Sequence, residues 1–251
     1  MKTYIYTTRA MASLKIAVVT AMFLLDTDKM DACGLFTKIP GVDYILFTNN
    51  KHLAALNPVR HLWDIQELQL PYTQGVYCTK EVKWLTHLYL PDYDYIIWVD
   101  AQFTPDHKEA KVLFRYIEQM CAEGVPIAMR TQKFQTVYDD IAWCLKNNRI
   151  TDDLGKTIID ALKVRGFSVT DPVQTFWTSA IIKNNKHPEL QRMAYELIDF
   201  VCSVGYRDQH WLPYLVQKYS IKYNIVKLPL FILTGTYIRE HHNYVSFFQR
   251  L

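Results

Sequence analysis

Short apolar runs alternate with amphipathic segments through the first half of the chain, and this pattern predicts strands and helices in turn. The apolar runs are rich in β-branched and aromatic residues, which favour buried strands, and they cover residues 15–22, 43–48, 95–100 and 125–129. Helical periodicity is predicted between them at 28–38, 78–90 and 107–121. Alternation of this kind is typical of a mostly parallel sheet with helices on its faces.

The second half of the sequence predicts more helices than strands. Helices are expected at 137–147, 152–163, 188–204 and 208–219, and strands at 175–182 and 223–228. No Pro-, Gly- or Ser-rich linker, low-complexity tract or repeat separates the two halves. We therefore predict a single α/β domain over residues 14–251, with a mostly parallel central sheet flanked by helices. Residues 1–13 are an extension that forms either an extra edge strand or a segment upstream of an internal start at Met11.

The first apolar run, "IAVVTAMFLL" at 16–25, follows three basic residues and in part imitates the core of a signal peptide. It is too short to span a bilayer as a helix, and no small-x-small cleavage site follows it. Its Val18, Val19 and Thr20 suit a strand. We therefore expect a first buried strand and no membrane span.

Composition limits the function classes. Half of the chain is apolar and 14% is aromatic, which excludes a disordered protein. The formal net charge is +3, without a dense run of Lys and Arg, so no nucleic-acid partner is expected. The five cysteines are odd in number, widely spaced and lack a C-x-x-C pair, which argues against a disulfide framework and a structural zinc site. We expect reduced, buried cysteines and a cytoplasmic protein.

The segment "PDYDYIIWVDAQF" at 91–103 contains two aspartate signatures around one predicted strand. Asp92 and Asp94 form a literal D-x-D before the strand, whereas Asp100 ends the strand and has Gln102 in place of a second acid. In open α/β sheets, ligands bind outside the carboxyl ends of the strands. Asp100 is therefore the candidate ligand of a divalent cation, and the literal D-x-D is expected to be a solvated turn.

Polar residues follow two further strands at the same predicted edge. Asn49 and Asn50 follow the second strand, and Arg130 and Lys133 follow the fourth. Such an edge suits a nucleotide, with amides near the base, a carboxylate near a metal or ribose and basic groups near phosphate.

Lys80 and Lys83 lie one helical turn apart on the helix before the 95–100 strand, so they share a face, and His87 falls on the same side. Two interpretations of the lysines stay open. They form a solvated helix surface, or they are a pair of cations that binds a diphosphate.

Two polar clusters occur in the last fifth of the chain. Asp208, between Arg207 and Gln209, stands at the predicted start of a helix, where an acid commonly caps free amides. Alternatively, Asp208 is held ionised by the adjacent arginine and accepts a proton from a sugar hydroxyl. His241 and His242 are either surface residues or ligands of a manganese-like ion.

In their order along the chain, these residues resemble the motifs of one family in the GT-A class of nucleotide-sugar glycosyltransferases. It is a glycosyltransferase-like family long described only as a domain of unknown function. Its motifs are FT(D/N)N, a Lys-x-x-x-His helix, YDY-x-IW-x-D and RDQ. Here they appear as Phe47-Thr48-Asn49-Asn50, Lys83 to His87, Tyr93 to Asp100, and Arg207-Asp208-Gln209. The resemblance covers residues 15 to about 220.

The resemblance implies a Rossmann-like GT-A fold, with a nucleotide-binding half at about 14–130 and an acceptor-binding half at about 131–251. It implies that Asp100 binds Mn²⁺ or Mg²⁺ together with His241 or His242 of the tail. The residues it places at the nucleotide are Thr48, Asn49, Asn50, Lys80, Lys83, Asp100, Ala101 and Gln102. The residues it places at the acceptor are Trp177, Thr178, Ser179, Arg207 and Gln209.

The sequence departs from the family at two places. Gln102 replaces the second acid, which leaves metal dependence open. Where the family carries a His-containing motif after the fourth strand, this chain has Arg130, Lys133 and Asp139.

The expected function is transfer of a hexosyl or deoxyhexosyl group from a nucleoside-diphosphate sugar, in the simplest case a UDP-sugar, to a hydroxyl of a glycan or glycoprotein. A divalent ion at Asp100, helped by Lys83, would stabilise the charge that gathers on the leaving diphosphate. Asp208 would be the general base if the anomeric configuration inverts, and would orient the acceptor if it is retained. The alternatives are a non-catalytic nucleotide- or glycan-binding module and a glycoside hydrolase with two carboxylates. The expected location is the cytosol, or the host cytosol if the protein is viral.

Overall fold

The structure is a computed structural model, and it describes residues 14–23, 30–33, 35–49, 62–226, 230–233 and 236–238. Its strands are β1 Ile16–Met22, β2 Met30–Ala32, β3 Asp43–Thr48, β4 Asp64–Glu67, β5 Tyr95–Val99, β6 Phe103–Pro105, β7 Ile127–Thr131, β8 Phe176–Asn184, β9 Tyr223–Ile225, β10 Phe231–Leu233 and β11 Thr236–Ile238. Its α-helices are α1 Gly75–Trp84, α2 Thr86–Tyr89, α3 Ala110–Glu123, α4 Val137–Lys146, α5 Asp152–Val164, α6 Pro188–Ser203 and α7 Asp208–Lys218.

A seven-stranded sheet forms the centre of the molecule, with the strand order β4-β3-β1-β5-β8-β7-β9. Its strands run parallel to one another except β8, which is antiparallel to both of its neighbours. The register is continuous through the middle of the sheet, because Val19 of β1 pairs with Ile45 of β3 and with Trp98 of β5. The predicted α/β fold with a mostly parallel central sheet flanked by helices is confirmed.

Both faces of the sheet are covered, which explains why its central strands are apolar throughout. Every residue of β1 and of β5 is buried. Alternate residues of β5 enter different cores: Ile96 and Trp98 join one cluster, and Ile97 and Val99 join the other. Trp98 therefore points to the face that carries α1, and so does the residue two positions later, Asp100.

The strand order reverses between β1 and β5. From β1 the chain adds β3 and β4 on one side, and it then returns to β5 on the other side. At such a switch point the carboxyl ends of the two strands open a crevice, which is where ligands bind in α/β sheets. Because β8 runs antiparallel, its first residues lie at this same edge of the sheet.

The first residue of α1 packs directly on the end of β1. A Cβ atom at Gly75 would lie 2.5 Å from the carbonyl oxygen of Phe23, which no side chain permits. Glycine at this position therefore lets α1 start in contact with the end of β1, at the switch point. Lys80 and Lys83 follow on the same helix.

The structure corrects several sequence expectations. The helix predicted at 28–38 is wrong in the described residues, because Met30–Ala32 is a strand that pairs with Thr236–Ile238 and residues 35–39 are not helical. The polar edge strand β4 and the small antiparallel pair of β6 with β10 were not predicted. The helix predicted at 78–90 is divided into α1 and α2. Residues 1–13 lie outside the described residues.

The cysteines are free, as expected, but they are not all buried. Cys33, Cys78 and Cys144 are buried, whereas Cys121 and Cys202 are exposed. No helix in the described ranges has the length and apolar character that crossing a bilayer requires.

Candidate functional site

Asp100 lies directly after β5, at the switch point of the sheet. Its backbone N–H donates to the carbonyl of Ser179 at 2.8 Å, and the indole Nε1 of Trp98 donates to its Oδ1 at 3.0 Å. Its side chain is half-buried, and within the described part of the chain its Oδ2 accepts no hydrogen bond. One oxygen is thus fixed by the protein and the other is open to a ligand.

The literal D-x-D lies at the opposite end of the same strand. Asp94 accepts from the backbone N–H of Lys15 at 2.8 Å and from Nζ of Lys186 at 2.7 Å, and Asp92 is exposed. These contacts tie the start of β5 to its neighbours. The structure therefore places this pair away from the carboxyl edge of the sheet, as the sequence predicted.

Asp208, the first residue of α7, is the centre of a buried ion cluster. Its Oδ1 lies 2.7 Å from Nζ of Lys80, and its Oδ2 lies 3.1 Å from Nζ of Lys83. The indole Nε1 of Trp84 donates to Oδ2 at 3.0 Å, and Oγ1 of Thr178 donates to Oδ1 at 3.2 Å. The side chain of Asp208 is 0% exposed, that of Lys83 is 2% exposed and that of Lys80 is 17% exposed.

This geometry excludes the interpretation of Lys80 and Lys83 as a solvated surface. Both ammonium groups compensate one buried carboxylate, as a buried charge requires. Lys80 keeps partial contact with solvent, and Asp100 lies near enough to act on its charge. Lys80 is therefore the cation that a ligand at the switch point can reach.

The role of proton acceptor does not fit Asp208. Burial alone would raise the pKa of its carboxyl group, but Lys80, Lys83 and the hydrogen bond from Trp84 together hold that pKa well below its usual range. A general base needs a pKa near the working pH and contact with the proton that it removes. Asp208 has neither, since its lone pairs are occupied inside the protein.

Arg207 also differs from its expected role. The sequence suggested that it holds Asp208 ionised, but its guanidinium Nη2 lies 3.7 Å from Oδ1 of Asp140 and donates to Gln209. The two consecutive residues Arg207 and Asp208 thus serve different clusters. The charge that the sequence assigned to Arg207 is supplied by lysines more than 120 residues away.

A buried lysine that the sequence analysis did not single out supports the C-terminal end of α1. Nζ of Lys183, on β8, donates to the carbonyls of Lys83 at 2.5 Å and Trp84 at 3.1 Å. Carbonyl groups at the end of a helix lack an intrahelical partner, and the hydroxyl of Thr86 also donates to the carbonyl of Lys83, at 3.1 Å. Burial first, and the charge of Lys83 second, lower the pKa of Lys183 to about 7.

The other residues predicted at the nucleotide lie around the same edge. Thr48 is buried at the end of β3, and the carbonyl of the half-buried Asn49 accepts from Gln69 at 2.9 Å. Ala101 is buried and Gln102 is half-buried, in the turn that follows Asp100. Asn50, His241 and His242 lie outside the described residues.

The residues predicted at the acceptor are at the start of β8. Trp177 is exposed, and the guanidinium of Arg130 lies 4.4 Å from its ring centre. Ser179 is buried, and its Oγ has no hydrogen-bond partner among the described residues. Thr178, in contrast, points to Asp208, and Gln209 accepts from Arg207. Trp177 and Ser179 are thus the two residues of this set whose side chains have no hydrogen-bond partner among the described residues.

Three further candidates make local contacts with neighbouring residues. His87 contacts the ring and hydroxyl of Tyr195 on α6, and burial lowers its pKa to about 4. Asp139 accepts from the backbone N–H of Thr136 in a capping box at the start of α4. Lys133 is exposed over the rings of Phe134 and Trp143.

A cleft of about 550 Å³ lies elsewhere, and none of the residues predicted at the site lines it. It is formed by the segment 166–174, the first residue of β8 and one side of α7. Its size alone does not make it the reactive centre, because the acidic and basic side chains converge at Asp100 and Asp208 instead.

Known proteins were compared with this chain by sequence and by structure. No protein-family model and no curated protein matches the sequence. Among solved structures, mouse xyloside xylosyltransferase 1 is similar over 85% of this chain and 84% of its own, with 10% identity and a TM-score of 0.47.

Two other solved structures show similar values. A glycosyltransferase involved in the glycosylation of the major capsid of PBCV-1 matches over 94% of this chain and all of its own, with 8% identity and a TM-score of 0.45. The glycosyltransferase GlyE of Streptococcus pneumoniae TIGR4 matches over 85% of this chain and 45% of its own, with 11% identity and a TM-score of 0.43. These identities and TM-scores are low, so the function of this chain is inferred from its own strand order and side-chain contacts.

Proposed function

We propose that this protein is a GT-A glycosyltransferase that transfers a hexosyl or deoxyhexosyl group from a nucleoside-diphosphate sugar, a UDP-sugar in the simplest case, to a hydroxyl of a glycan or glycoprotein. One observation carries the proposal. A half-buried carboxylate, Asp100, stands at the switch point of the sheet, within electrostatic range of Lys80, whose side chain is 17% exposed. A metal-binding acid beside a cation suits a bound diphosphate.

The donor set at Asp100 fits a divalent cation of the Mg²⁺ or Mn²⁺ type. Such ions prefer oxygen ligands and commonly use one or two carboxylates, with substrate phosphates and water in the other positions. Oδ2 of Asp100 is open, and Gln102, in the same turn, offers a carbonyl oxygen in place of the usual second acid. When bound, the ion would supply charge stabilisation of the leaving diphosphate.

The protein's own residues have separate roles in this proposal. Lys80 neutralises part of the negative charge that develops on the diphosphate, because it alone of the two lysines reaches solvent. Asp208 is a positioning residue, which holds the ammonium groups of Lys80 and Lys83 in place from inside the protein. The indole of Trp98 fixes the carboxylate of Asp100, so that its free oxygen faces the ligand.

The acceptor would lie at the start of β8. The exposed ring of Trp177, backed by the guanidinium of Arg130, offers an apolar face to a sugar ring. Thr48 and Asn49, at the end of β3, would lie toward the nucleoside.

The geometry gives less support to a glycoside hydrolase. That reaction needs one carboxyl group with a raised pKa to act as an acid beside a second carboxylate. Asp208 has the opposite property, a lowered pKa, and it is closed to substrate.

The first test is thermal stabilisation by UDP, GDP, CMP and ADP, each with and without Mn²⁺. A ligand that binds only the folded state at 100 times its dissociation constant stabilises that state by about 2.7 kcal/mol. We expect UDP with Mn²⁺ to raise the melting temperature of the wild type, and Asp100→Asn to lose most of this effect. Asp92→Asn, an exposed acid of the literal D-x-D, is the matched control and should behave as the wild type.

A second measurement separates catalysis from binding. Release of UDP from a panel of UDP-sugars is followed in the presence of glycan acceptors and in their absence. Acceptor-dependent release that Asp100→Asn abolishes supports the transferase. Nucleotide binding without any turnover would instead support a non-catalytic binding module, and no stabilisation by any nucleotide would refute the whole proposal.

A further inference from the structure

Three buried side chains meet where α4 packs against α7. Asp140 and Cys144 lie one turn apart on the inner face of α4, and His210 lies in the first turn of α7. Their relative exposures are 1%, 0% and 0%. The capping box at Thr136 fixes the start of α4, and this sets which residues of the helix face α7.

The ligand-type atoms of the three residues lie close together, and one atom from each residue lies within 4.8 Å of the other two. Oδ2 of Asp140 lies 3.6 Å from Nε2 of His210, Sγ of Cys144 lies 3.6 Å from Oδ1 of Asp140, and Sγ of Cys144 lies 3.8 Å from Nε2 of His210. In a tetrahedral zinc site, with metal bonds of about 2.0–2.3 Å, neighbouring ligand atoms are about 3.3–3.6 Å apart. The distance from sulfur to nitrogen and the two distances to the carboxylate are each close to this spacing, and the carboxylate uses Oδ1 toward Cys144 and Oδ2 toward His210.

Hydrogen bonding accounts for only part of this cluster, since the thiol of Cys144 lies within the long hydrogen-bond distance of sulfur from Oδ1 of Asp140 and from Nε2 of His210. The distance from Asp140 to His210 exceeds the 2.7–3.2 Å or so of a nitrogen-to-oxygen hydrogen bond. Within the described part of the chain, the buried Oδ2 of Asp140, 3.6 Å from Nε2 of His210, has no hydrogen-bond partner. Buried polar atoms without partners are rare in native proteins, and an ion or a water bound between them is one physical reason for such atoms.

From this geometry we infer that Asp140, Cys144 and His210 form a binding site for one zinc ion. A thiolate, an imidazole and a carboxylate are together the ligands that zinc prefers, whereas Mg²⁺ and Ca²⁺ prefer oxygen alone. The two anionic ligands balance the charge of the ion itself, and the guanidinium of Arg207 lies beside the complex, 3.7 Å from Oδ1 of Asp140. Water would complete the tetrahedron, since no fourth protein ligand is present in the described residues.

In the free protein, the imidazole of His210 is in the neutral state that metal binding needs, whereas the thiol of Cys144 must first lose its proton. Burial first, and then the charge of Arg207, lower the pKa of His210 to about 3, so its ring is neutral and has a lone pair to donate. Burial is also the main reason that the pKa of the Cys144 thiol rises to about 11. Zinc binding therefore forms a metal–sulfur bond, breaks the S–H bond and releases that proton to solvent.

The site is independent of the proposed glycosyltransferase function and differs from the proposed divalent site at Asp100. Its ligands are softer, and they are closed to solvent. Its role is structural, because the ion would join α4 to the first turn of α7. That turn also carries Asp208 and therefore the ion cluster with Lys80.

The test uses the full chain without a metal-binding tag, in a background where the exposed Cys121 and Cys202 are replaced by serine. After the protein is stripped with a chelator, Co²⁺ is titrated as a spectroscopic probe and zinc content is measured by mass spectrometry. We expect one equivalent of Co²⁺ per chain, with the visible bands of a tetrahedral ion and a sulfur-to-cobalt charge-transfer band. Zn²⁺ should displace it and raise the melting temperature.

Variants assign the ligands. Cys144→Ala should lose the charge-transfer band and at least tenfold in Co²⁺ affinity, whereas Cys78→Ala, another buried thiol in the same core, should keep both. Asp100→Asn should keep the cobalt spectrum too, which separates this site from the nucleotide site. His210→Gln is the second ligand variant, used if Cys144→Ala does not fold.

The wild-type titration is decisive without any variant. Less than a tenth of an equivalent bound, an octahedral spectrum, or a spectrum without the sulfur band would overturn the zinc site. Failure of nucleotide binding with an intact cobalt spectrum would overturn the proposed glycosyltransferase and leave the zinc site in place.

Discussion

Asp208 and Asp140 are both fully buried carboxylates on neighbouring helices, but their surroundings are opposite. Asp208 is held by two ammonium groups, an indole and a hydroxyl. Asp140 has one guanidinium at 3.7 Å and a weakly donating thiol, and one of its oxygens has no partner in the described residues. Burial disfavours the ionised form of a carboxyl group unless nearby positive charges and hydrogen bonds offset it. At Asp140 they do not offset it fully, so its pKa is raised, mainly by burial.

This difference shows how to distinguish a buried charge with a structural role from a buried group that can bind a ligand. A buried charge whose partners are complete is unavailable to a ligand, and the removal of one of its partners destabilises the fold. A buried polar group whose partners are missing is a place where a ligand can be bound. Equal burial and equal residue type do not make these two aspartates equivalent.

The largest expected effect tests this contrast directly. Asp208→Asn should lower the free energy of unfolding by about 3–5 kcal/mol, because it leaves buried ammonium groups without a counter-charge. Asp140→Asn in the metal-free protein should change it by less than about 1 kcal/mol, since the amide keeps the shape and removes a poorly compensated charge. Urea denaturation at neutral pH measures both. Equal losses in the two variants would show that the clusters do not differ in compensation.

A second prediction concerns Lys183, which supports the helix that carries the ion cluster. Its folded-state pKa of about 7 lies below the unfolded value of 10.5, so between these values the unfolded chain binds more protons and stability rises with pH. From about pH 7.5 to 9.5 this single group should contribute up to about 1.4 kcal/mol per pH unit.

The measurement compares urea denaturation curves across that range. Lys183→Met should flatten the pH dependence relative to the wild type, whereas Lys222→Met, at an exposed position, should leave it unchanged. A wild-type slope that survives in Lys183→Met would place the responsible group elsewhere.

The smallest expected effect on stability tests whether the hydroxyl of Thr178 contributes to the binding of Asp208 in the ion cluster. Thr178→Val removes one hydrogen bond to Oδ1 and should cost about 1 kcal/mol of stability. Thr157→Val is the matched control, because that hydroxyl bonds only a backbone carbonyl on an exposed helix. If the two variants have the same stability, Thr178 contributes nothing to the cluster.

Much of the fold could be predicted because the sequence of each central strand is by itself typical of a buried strand. β1, β3 and β5 are continuous apolar runs that are buried on both faces, and their predicted bounds agree with the structure to within about one residue. β4, in contrast, is the polar segment "DIQE" at the edge of the sheet, and no alternation or apolar run marks it. β2 exists only by pairing with β11, which lies about 200 residues later in the chain.

The residues of the candidate site also differ in whether the sequence could predict their position and contacts. Asp100 could be found because it follows a clear strand, and the edge rule for α/β sheets then gives it a meaning. The partners of Asp208 could not be found, because Lys80 and Lys83 precede it by more than 120 residues and the adjacent Arg207 turns to Asp140. Spacing along a sequence predicts neighbours on one element, and these contacts join different elements.

The close approach at Gly75 sets a limit on attempts to make the protein more stable. Exchange of a helical glycine for alanine is a common route to a higher melting temperature, since it restricts the unfolded chain. At Gly155 the nearest atoms are flexible ends of Leu145 at 3.3 Å, which can move aside. At Gly75 the obstacle is the backbone of Phe23, which cannot move without shifting β1. An engineer could therefore replace Gly155 in the first turn of α5, but would have to leave unchanged the residue at which α1 meets the sheet.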